Sequence, residues 1–560
     1  MDSIKEHLQH LYPDCWEELE QRIGALTESW KLKMGNTSGE ALYPWVSKDD
    51  VMLITYGDGI GREGEAPLAT LRSFLNEELS GTVSAVHLLP MFPYTSDDGF
   101  SVTDFKAINP ELGDWEDIEN LRREYDLMFD AVINHVSKSS WYFKEYAAGN
   151  PHYRGFFIEA DPEGDYSRVI RPRTLPLLTK FETSMGTKYL WTTFSEDQID
   201  LNYRDPEVLM EILDVLLLYA ARGARFIRFD AIGFAWKEPG TTCMHLPQTH
   251  ELIKLMRCVL ESCAKGCTII TETNVPHKEN ISYFGSGYDE AGLVYQFPLP
   301  PLTLYSYLSG SAAHLSDWAD GLEATTEATT YFNFLASHDG IGLRPVEDIL
   351  SEGERRLMVA EVMERGGQVG YRSLADGSMV PYELNINYLD AIAGNEKDMG
   401  RMVRKFLGSQ CILLSVMGMP AIYYHSLLGS RNCYRDFEES GIKRRINREK
   451  LNADQLKTEL SDPNSLRSRV LAGYRQMLKI RKQEEAFSPN SPQQVLKLDE
   501  RVFALLRGTQ ENQILVLINV SDDVVKLETG MAGSGLLSEK QMNQAVTLEP
   551  YEYLWLKIKG

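Results

Sequence analysis

Short apolar runs that end in a polar or charged residue alternate along the chain with longer stretches of helical periodicity. This alternation is typical of repeated βα units, in which buried parallel strands are joined by helices. We predict eight strands, which begin VMLITYG at 51, VSAVHLLP at 83, LMFDAVINH at 127, ARFIRFDAIG at 224, CTIITETN at 267, LVYQF at 293, YFNFLASHD at 331 and PAIYYHS at 420. Eight such strands favour an α/β fold, a closed (β/α)8 TIM barrel with its site at the carboxyl ends of the strands. An open doubly wound sheet is the alternative.

The same pattern divides the chain into three parts. Residues 1–48 predict a helical N-terminal extension, and residues 49–480 predict the catalytic barrel. Residues 481–560 contain short alternating segments without helical connections, which predict a small C-terminal antiparallel β domain. Two connections, about 137–200 and 340–400, are too long to be simple helices, so we expect inserted loop subdomains that form a lid or a wall of the pocket.

Composition and charge narrow the class of protein. The chain has 560 residues, 43% of them hydrophobic, which is enough for a large core. Its 57 basic and 81 acidic side chains give a net charge of −24, which opposes binding to nucleic acid or to an anionic membrane. The amino terminus lacks the basic start and apolar stretch of a secretory signal. We therefore expect a cytoplasmic enzyme of small molecules, with its oligomeric state open and a homodimer among the options.

The seven cysteines form no obvious disulfide framework. Cys258, Cys263 and Cys267 are close enough in sequence to raise the possibility of a metal, but their spacing matches no zinc pattern. Reduced structural thiols are the favoured interpretation, and no metal site is predicted.

Charged residues stand at or near the carboxyl ends of several predicted strands: Asp130, Arg228, Asp230, Glu272, His338 and Asp339. In a barrel these strand ends converge, so the side chains are expected to meet. Any one of them alone could be a buried ion pair or a hydrogen-bonded histidine without catalytic function. Their convergence at one end instead indicates an active site.

Three carboxylates without a metal cluster favour chemistry that passes through a cationic transition state, and glycosidic bond cleavage is the leading case. A retaining mechanism needs an ionised nucleophile and a protonated acid, which Asp230 and Glu272 fit. Arg228 lies two residues before Asp230 on the same strand, so it points to the same side and keeps Asp230 ionised.

The segments DAVINH, IRFDAIGF, IITETN and ASHD resemble the four ordered signature regions of the α-amylase clan of glycoside hydrolases, and QIDLNYRDPEV resembles a fifth. The resemblance covers about residues 51–450. Within the clan, LITYGD, SDDGF, KEPGTTC, HDGIG and INR resemble the sucrose phosphorylase group.

The resemblance implies roles for individual residues. Asp230 is expected to be the nucleophile, Glu272 the acid/base, and Asp339 a transition-state stabiliser that binds sugar hydroxyls. The residues expected to surround the glucosyl unit are Asp97, His135, Arg228, His338 and Arg444, with Phe100, Phe194 and Phe234 as apolar walls. The three aromatic residues fit the barrel core equally well.

In a phosphorylase, inorganic phosphate displaces the enzyme ester and leaves α-D-glucose 1-phosphate, so phosphate is a co-substrate and no cofactor is expected. Arg171 and Arg173 lie in the first insertion, where the resemblance places part of the phosphate site. Arg444 lies in a second basic segment, KRRINREK. The alternative for each basic cluster is a solvated surface.

On the acceptor side the chain departs from the sucrose enzymes, because Asn274 stands where they resemble histidine and Glu383 replaces a glutamine. ETNVPHKEN and the N-terminal extension resemble glucosylglycerate phosphorylases, which implies phosphorolysis of 2-O-α-D-glucosyl-D-glycerate. His277 and Lys278 of that segment are expected near the acid/base, where an anion could use them, and solvent exposure is the alternative for Lys278. The alternatives are a sucrose, sucrose 6′-phosphate or glucosylglycerol phosphorylase, an α-glucosidase or transglucosidase, and an inactive binding protein, against which the intact carboxylates argue.

Overall fold

A computed structural model describes residues 2–35, 45–373 and 378–559. Eight parallel strands close into a barrel in the order β1-β8-β7-β6-β5-β4-β3-β2, and β1 pairs with both β2 and β8. The strands are β1 Met52–Thr55, β2 Ala85–Leu88, β3 Asp126–Ala131, β4 Ala224–Phe229, β5 Thr268–Thr271, β6 Leu293–Tyr295, β7 Thr330–Asn333 and β8 Met419–Tyr423. All eight coincide with predicted segments, so the (β/α)8 fold is confirmed and an open sheet is excluded.

The barrel strands are apolar runs because both of their faces are covered. Every residue of β1, β2, β7 and β8 is buried, as expected for parallel strands enclosed by helices. The α-helices of the described residues are α1 Asp2–Leu11, α2 Trp16–Met34, α3 Pro67–Glu78, α4 Trp115–Leu121, α5 Trp141–Ala147, α6 Pro206–Ala221, α7 Pro247–Cys263, α8 His277–Ile281, α9 Leu299–Ser309, α10 Ala313–Asp320, α11 Glu352–Glu364, α12 Tyr388–Ala393, α13 Met399–Ser415, α14 Tyr424–Leu427, α15 Tyr434–Ser440, α16 Ala453–Ser461 and α17 Leu466–Gln483.

Local signals set the helix ends. The helix α6 starts at Pro206, and the side chain of Asp205 accepts a hydrogen bond from the Glu207 N–H, which satisfies one of the free donors of the first turn. Glu207 also contacts the N-terminal helix α2. Arg22 of that helix donates to both carboxylate oxygens of Glu207 at 2.7 Å. The N-terminal helices therefore pack on the outer ring of the barrel. Residues 36–44 of the predicted extension lie outside the described residues.

Both long connections contain small sheets of their own. After β3, strand His135–Ser137 pairs with Gln198–Asp200, and Leu178–Thr183 forms a hairpin with Gly186–Trp191. After β7, three antiparallel strands form one sheet: Ile341–Gly342, Gln368–Ser373 and Met379–Asn385. Because both connections follow barrel strands, they stand over the carboxyl end of the barrel.

The C-terminal part is an antiparallel sheet of six strands in the order β9-β10-β11-β14-β12-β13. Its strands are β9 Gln493–Val495, β10 Val502–Arg507, β11 Ile514–Asn519, β12 Val525–Gly535, β13 Gln541–Leu548 and β14 Tyr553–Ile558. It contacts α13 through Ser415, whose hydroxyl accepts from Trp555 Nε1 at 2.8 Å and whose carbonyl accepts from Arg507 Nη1 at 2.6 Å. The predicted antiparallel sheet is confirmed, and the boundary at 481 stays a prediction.

Across the described residues, no helix combines the length and the apolar character that a membrane crossing requires. All seven cysteines are free thiols. Within the same residues, no cluster of three or more His, Cys, Asp or Glu side chains is arranged to hold a metal ion, and this includes the surroundings of Cys258, Cys263 and Cys267.

Candidate active site

One cavity at the carboxyl end of the barrel is lined by Asp230, Glu272 and Asp339. Asp230 directly follows β4, Glu272 directly follows β5, and Asp339 lies in the loop after β7. Ten more of the predicted site residues line the same cavity: Asp97, Phe100, His135, Arg173, Phe194, Phe234, Asn274, His338, Glu383 and Arg444. The fold therefore brings together residues that are far apart in the sequence.

Arg228 lies beneath this cavity, at the centre of a buried ion cluster. Its Nη1 donates to Asp230 Oδ1 at 2.8 Å and also to Asp130, and its Nη2 lies 3.8 Å from Glu272 Oε2. Burial lowers the pKa of Arg228, but Asp130 and Asp230 outweigh this and hold it well above its usual value. Arg228 is therefore a fixed positive charge below the reacting carboxylates.

Asp130 supports the cluster from inside strand β3. His87 Nε2 donates to Asp130 Oδ2 at 2.6 Å, and both side chains are 1% exposed. Burial raises the pKa of Asp130, but Arg228 and His87 lower it below the usual value. Asp130 and His87 thus position Arg228 and do not face the cavity.

Asp230 and Glu272 share one buried environment with different contacts. Burial raises the pKa of both, that of Glu272 to about 7, while Arg228 opposes the rise in each. Because Arg228 is 2.8 Å from Asp230 and 3.8 Å from Glu272, the negative charge of the pair is favoured on Asp230. The arrangement provides an ionised carboxylate beside a protonated one.

The residue directly after Asp230, Ala231, has an unusual backbone conformation. Ala231 has φ 48°, a left-handed conformation that is uncommon for a residue with a side chain. Its N–H donates to Glu272 Oε2 at 3.1 Å. The turn that ends β4 thus holds Glu272 in place, and positive φ at Asp97, Asp98, Cys243 and His245 adds further strain around the same site.

Asp339 is held by arginines from the segment after α15. Arg444 Nη1 lies 2.6 Å from Asp339 Oδ1, and Arg448 Nη2 lies 3.8 Å from it. Burial raises the pKa of Asp339, but Arg444, Arg448 and Arg228 together lower it below its usual value. Arg444 also pairs with Glu383, at 2.8 Å and 3.2 Å, so it is shared between two carboxylates.

The remaining floor is built from histidine and aromatic side chains. The ring of Phe100 stacks on His338 with centroids 4.7 Å apart and planes within 6°. The backbone oxygen of Phe100 accepts from His135 Nε2 at 2.9 Å and from Gln198 Nε2 at 3.0 Å. Burial lowers the pKa of His338 well below its usual value, so this histidine is neutral near pH 7.

Three basic residues of the sequence prediction do not reach the cavity. Lys278 is exposed, and His277 packs near the ring of Tyr331 at 6.1 Å. Neither of them lines the cavity, and neither does Arg171. His277 and Lys278 both lie in the first turn of α8, which begins at His277, and Asn280 of that helix accepts from Thr273 Oγ1 at 2.8 Å. The expectation that His277 and Lys278 serve an anion here was wrong.

The prediction also missed residues that contribute to the site: His87, Asp98, Gln198, Arg344, Tyr382 and Arg448. His87 is hidden in an apolar strand, where only the charged residues of neighbouring strands hint at it. Arg344 is the more accessible signal, because a basic residue five positions after Asp339 stands in the loop of a barrel strand.

Comparisons with known proteins give one consistent picture. Residues 79–345 match the family model described as Alpha amylase, catalytic domain. A glucosylglycerate phosphorylase of Spirochaeta thermophila is 48% identical over 93% of this chain and 89% of its own length. Another of that name, from Allomeiothermus silvanus, is 46% identical over 99% of this chain and 98% of its own. The crystal structure of a sucrose 6F-phosphate phosphorylase from Thermoanaerobacter thermosaccharolyticum covers 92% of this chain and 99% of its own with a TM-score of 0.75 at 22% identity, which shows the shared fold.

Proposed function

The chain belongs to the α-amylase family, and we propose that it is a retaining glycoside phosphorylase that converts 2-O-α-D-glucosyl-D-glycerate and inorganic phosphate into α-D-glucose 1-phosphate and D-glycerate. The observation that carries the chemistry is the unequal distance of Arg228 from Asp230 and Glu272, 2.8 Å against 3.8 Å. It supports an ionised nucleophile beside a protonated acid, the pair that a double displacement requires. The choice of acceptor rests on the two relatives named glucosylglycerate phosphorylase.

In the first step, a carboxylate oxygen of Asp230 attacks the anomeric carbon of the glucosyl unit. The bond from that carbon to O2 of glycerate breaks, and Glu272 gives its proton to the departing oxygen. Asp339, kept ionised by Arg444, accepts hydrogen bonds from sugar hydroxyls as positive charge develops on the ring. D-Glycerate then dissociates, and the glucosyl unit remains on Asp230 as an ester.

In the second step, an oxygen of inorganic phosphate attacks the same carbon from the vacated side while its proton passes to Glu272, and the ester bond to Asp230 breaks. The two inversions together retain the α configuration. Arg173 lines the cavity without a carboxylate partner among the described residues, so it is available to a phosphate dianion. Phosphate is consumed as a co-substrate, and the proposal needs no further cofactor.

The seven free cysteines support a reducing, cytoplasmic setting for this reaction. The partners are the glucoside, phosphate and their products, all of them small molecules. A chain with a net charge of −24 repels anions overall, so the basic residues that line the cavity are what attracts an anion there.

The test is synthesis from α-D-glucose 1-phosphate with four acceptors: D-glycerate, glycerol, fructose and fructose 6-phosphate. The rate of phosphate release measures each reaction. D-Glycerate should give the highest kcat/KM. A preference for one of the other three would overturn the acceptor while leaving the phosphorylase chemistry intact. If free glucose formed from α-D-glucose 1-phosphate at the same rate with and without an acceptor, the assignment as a phosphorylase would be overturned.

A further inference from the structure

Arg344 lies on a turn that the second insertion fixes at the side of the cavity. Strand Ile341–Gly342 pairs with Met379–Asn385, with Gly342 opposite Glu383. One residue later, the Leu343 N–H donates to the Tyr382 carbonyl at 3.0 Å. Arg344 and Tyr382 both line the cavity. The inserted sheet therefore holds this guanidinium beside the reacting groups through backbone hydrogen bonds.

The side chain of Arg344 contacts no carboxylate among the described residues. Its one polar contact among the described residues is the sulfur of Met244, 4.0 Å from Nη1. By contrast, Arg228, Arg444 and Arg448 each pair with at least one carboxylate. A half-buried cation without a counter-ion is costly unless a ligand supplies the negative charge. The structure therefore leaves an anion-binding position at Arg344.

Asn274 adds a hydrogen-bond acceptor to the wall of the cavity that carries the Arg344 charge. Its Oδ1 is buried without a hydrogen-bond partner among the described residues. A Cβ placed on Gly342 would lie 2.9 Å from Asn274 Nδ2 and 3.0 Å from Oδ1, so the turn that carries Arg344 lies directly against this amide. Asn274, Arg344 and Glu272 line the same cavity, so the acid/base shares it with this pair.

Arg173 is the other arginine of this cavity that contacts no carboxylate among the described residues, and it comes from the first insertion, whereas Arg344 comes from the second. The guanidinium of Arg173 is 5.9 Å from the ring centroid of Phe194, and it lowers the pKa of Asp339. Arg344 instead lowers the pKa of His245, next to Met244. Both arginines oppose the rise that burial causes in the pKa of Tyr382, so both act on this hydroxyl.

The proposed reaction determines which anion must come close to Glu272. In 2-O-glucosylglycerate the carboxylate is attached to the carbon that carries the glycosidic oxygen, so it lies two bonds from the atom that Glu272 protonates. We propose that Arg344 binds this carboxylate and that Asn274 accepts a hydrogen bond from the terminal hydroxyl of the acceptor. The assignment rests on the proposed function and names the residue that selects a carboxylate acceptor over a neutral one.

The experiment compares phosphorolysis of 2-O-α-glucosylglycerate with that of its neutral analogue 2-O-α-glucosylglycerol. In Arg344→Gln, kcat/KM for the glycerate compound should fall about 100-fold, as expected for loss of a charge-assisted pair, and that for the glycerol compound should stay within about threefold. Arg173→Gln should lower turnover of both at limiting phosphate, because phosphate is common to both reactions. The matched control is Arg356→Gln, an arginine of the same insertion that is 76% exposed, with both values unchanged.

Hydrolysis of α-glucosyl fluoride reports that each variant is folded, since water takes the glucosyl unit and neither glycerate nor phosphate is needed. Equal effects of Arg344→Gln on the two glucosides, or no effect on either, would overturn the role of Arg344. If the Gln variant does not fold, Arg344→Lys decides the question: it must keep a preference for the glycerate compound, and loss of that preference overturns the assignment. Failure of the proposed function is distinguishable, because the unaltered enzyme would then show no preference for glucosylglycerate.

Discussion

The floor of the cavity, which contains Arg228 and Arg444, differs from its wall, which contains Arg173 and Arg344, in whether the arginines are paired with carboxylates. On the floor, Arg228 and Arg444 come from or reach the barrel end and each contact two carboxylates. On the wall, Arg173 and Arg344 come from the two insertions and contact none among the described residues. Paired charges fix the geometry of the reacting groups, while unpaired charges are left for a ligand. The proposed function therefore assigns bond cleavage to groups at the barrel end and acceptor choice to the inserted loops.

The largest effect is expected where the floor forms a covalent bond. Asp230→Asn should reduce turnover of glucosylglycerate by at least about 10⁴-fold, because the neutral amide cannot form the glucosyl ester. Steady-state phosphorolysis and a far-UV circular dichroism spectrum measure activity and fold together. A folded variant with substantial activity would refute the nucleophile assignment.

Glu272→Gln sharpens the distinction between the two carboxylates. Turnover of glucosylglycerate should fall by about 10²–10⁴-fold, because the departing alkoxide loses its proton donor. Formation of the ester from α-glucosyl fluoride should fall much less, since fluoride leaves without a proton. Equal losses on both donors would contradict the acid role.

Removing one paired and one unpaired arginine tests the comparison itself. Arg444→Gln leaves Glu383 without its cation and Asp339 with only the more distant Arg448, and it should lower the free energy of unfolding by about 3 kcal/mol. Arg344→Gln breaks no ion pair and should change it by less than about 0.5 kcal/mol. Urea unfolding of the two variants measures both values. Similar losses in both would show that the wall is as structural as the floor.

The pH dependence gives the smallest effect. Burial raises the pKa of Glu272 to about 7, and its protonated form is the acid. The kcat/KM for glucosylglycerate should therefore fall about tenfold per unit above pH 7, and it should fall again at the lower pH where Asp230, whose pKa burial also raises, takes up a proton. The limb above pH 7 should be absent with α-glucosyl fluoride. A profile that rises through pH 7 would assign the raised pKa to a base instead.

The sequence was sufficient for the floor. Asp230 and Glu272 directly follow apolar runs that could only be buried strands, and parallel strands of a barrel bring such ends together. Their order and motifs also carried the family. His87 could not be found in this way, because an apolar strand gives no sign of which of its residues contacts Asp130.

The wall was less accessible to prediction. Lys278 is close to Glu272 in sequence and is nevertheless exposed, because proximity along a loop does not determine the direction of a side chain. Arg344 and Tyr382 meet through the antiparallel pairing of two segments about 40 residues apart, which no local pattern encodes. Insertions that depend on long-range pairing therefore need the structure.

The central claim is transfer of a glucosyl unit between D-glycerate and phosphate with retention. Nuclear magnetic resonance of a single reaction mixture of 2-O-α-D-glucosyl-D-glycerate, enzyme and phosphate tests it most directly. The account predicts α-D-glucose 1-phosphate and D-glycerate in equal amounts, formed at a rate that depends on phosphate. Free glucose formed regardless of phosphate, or the β anomer of the phosphate ester, would contradict it.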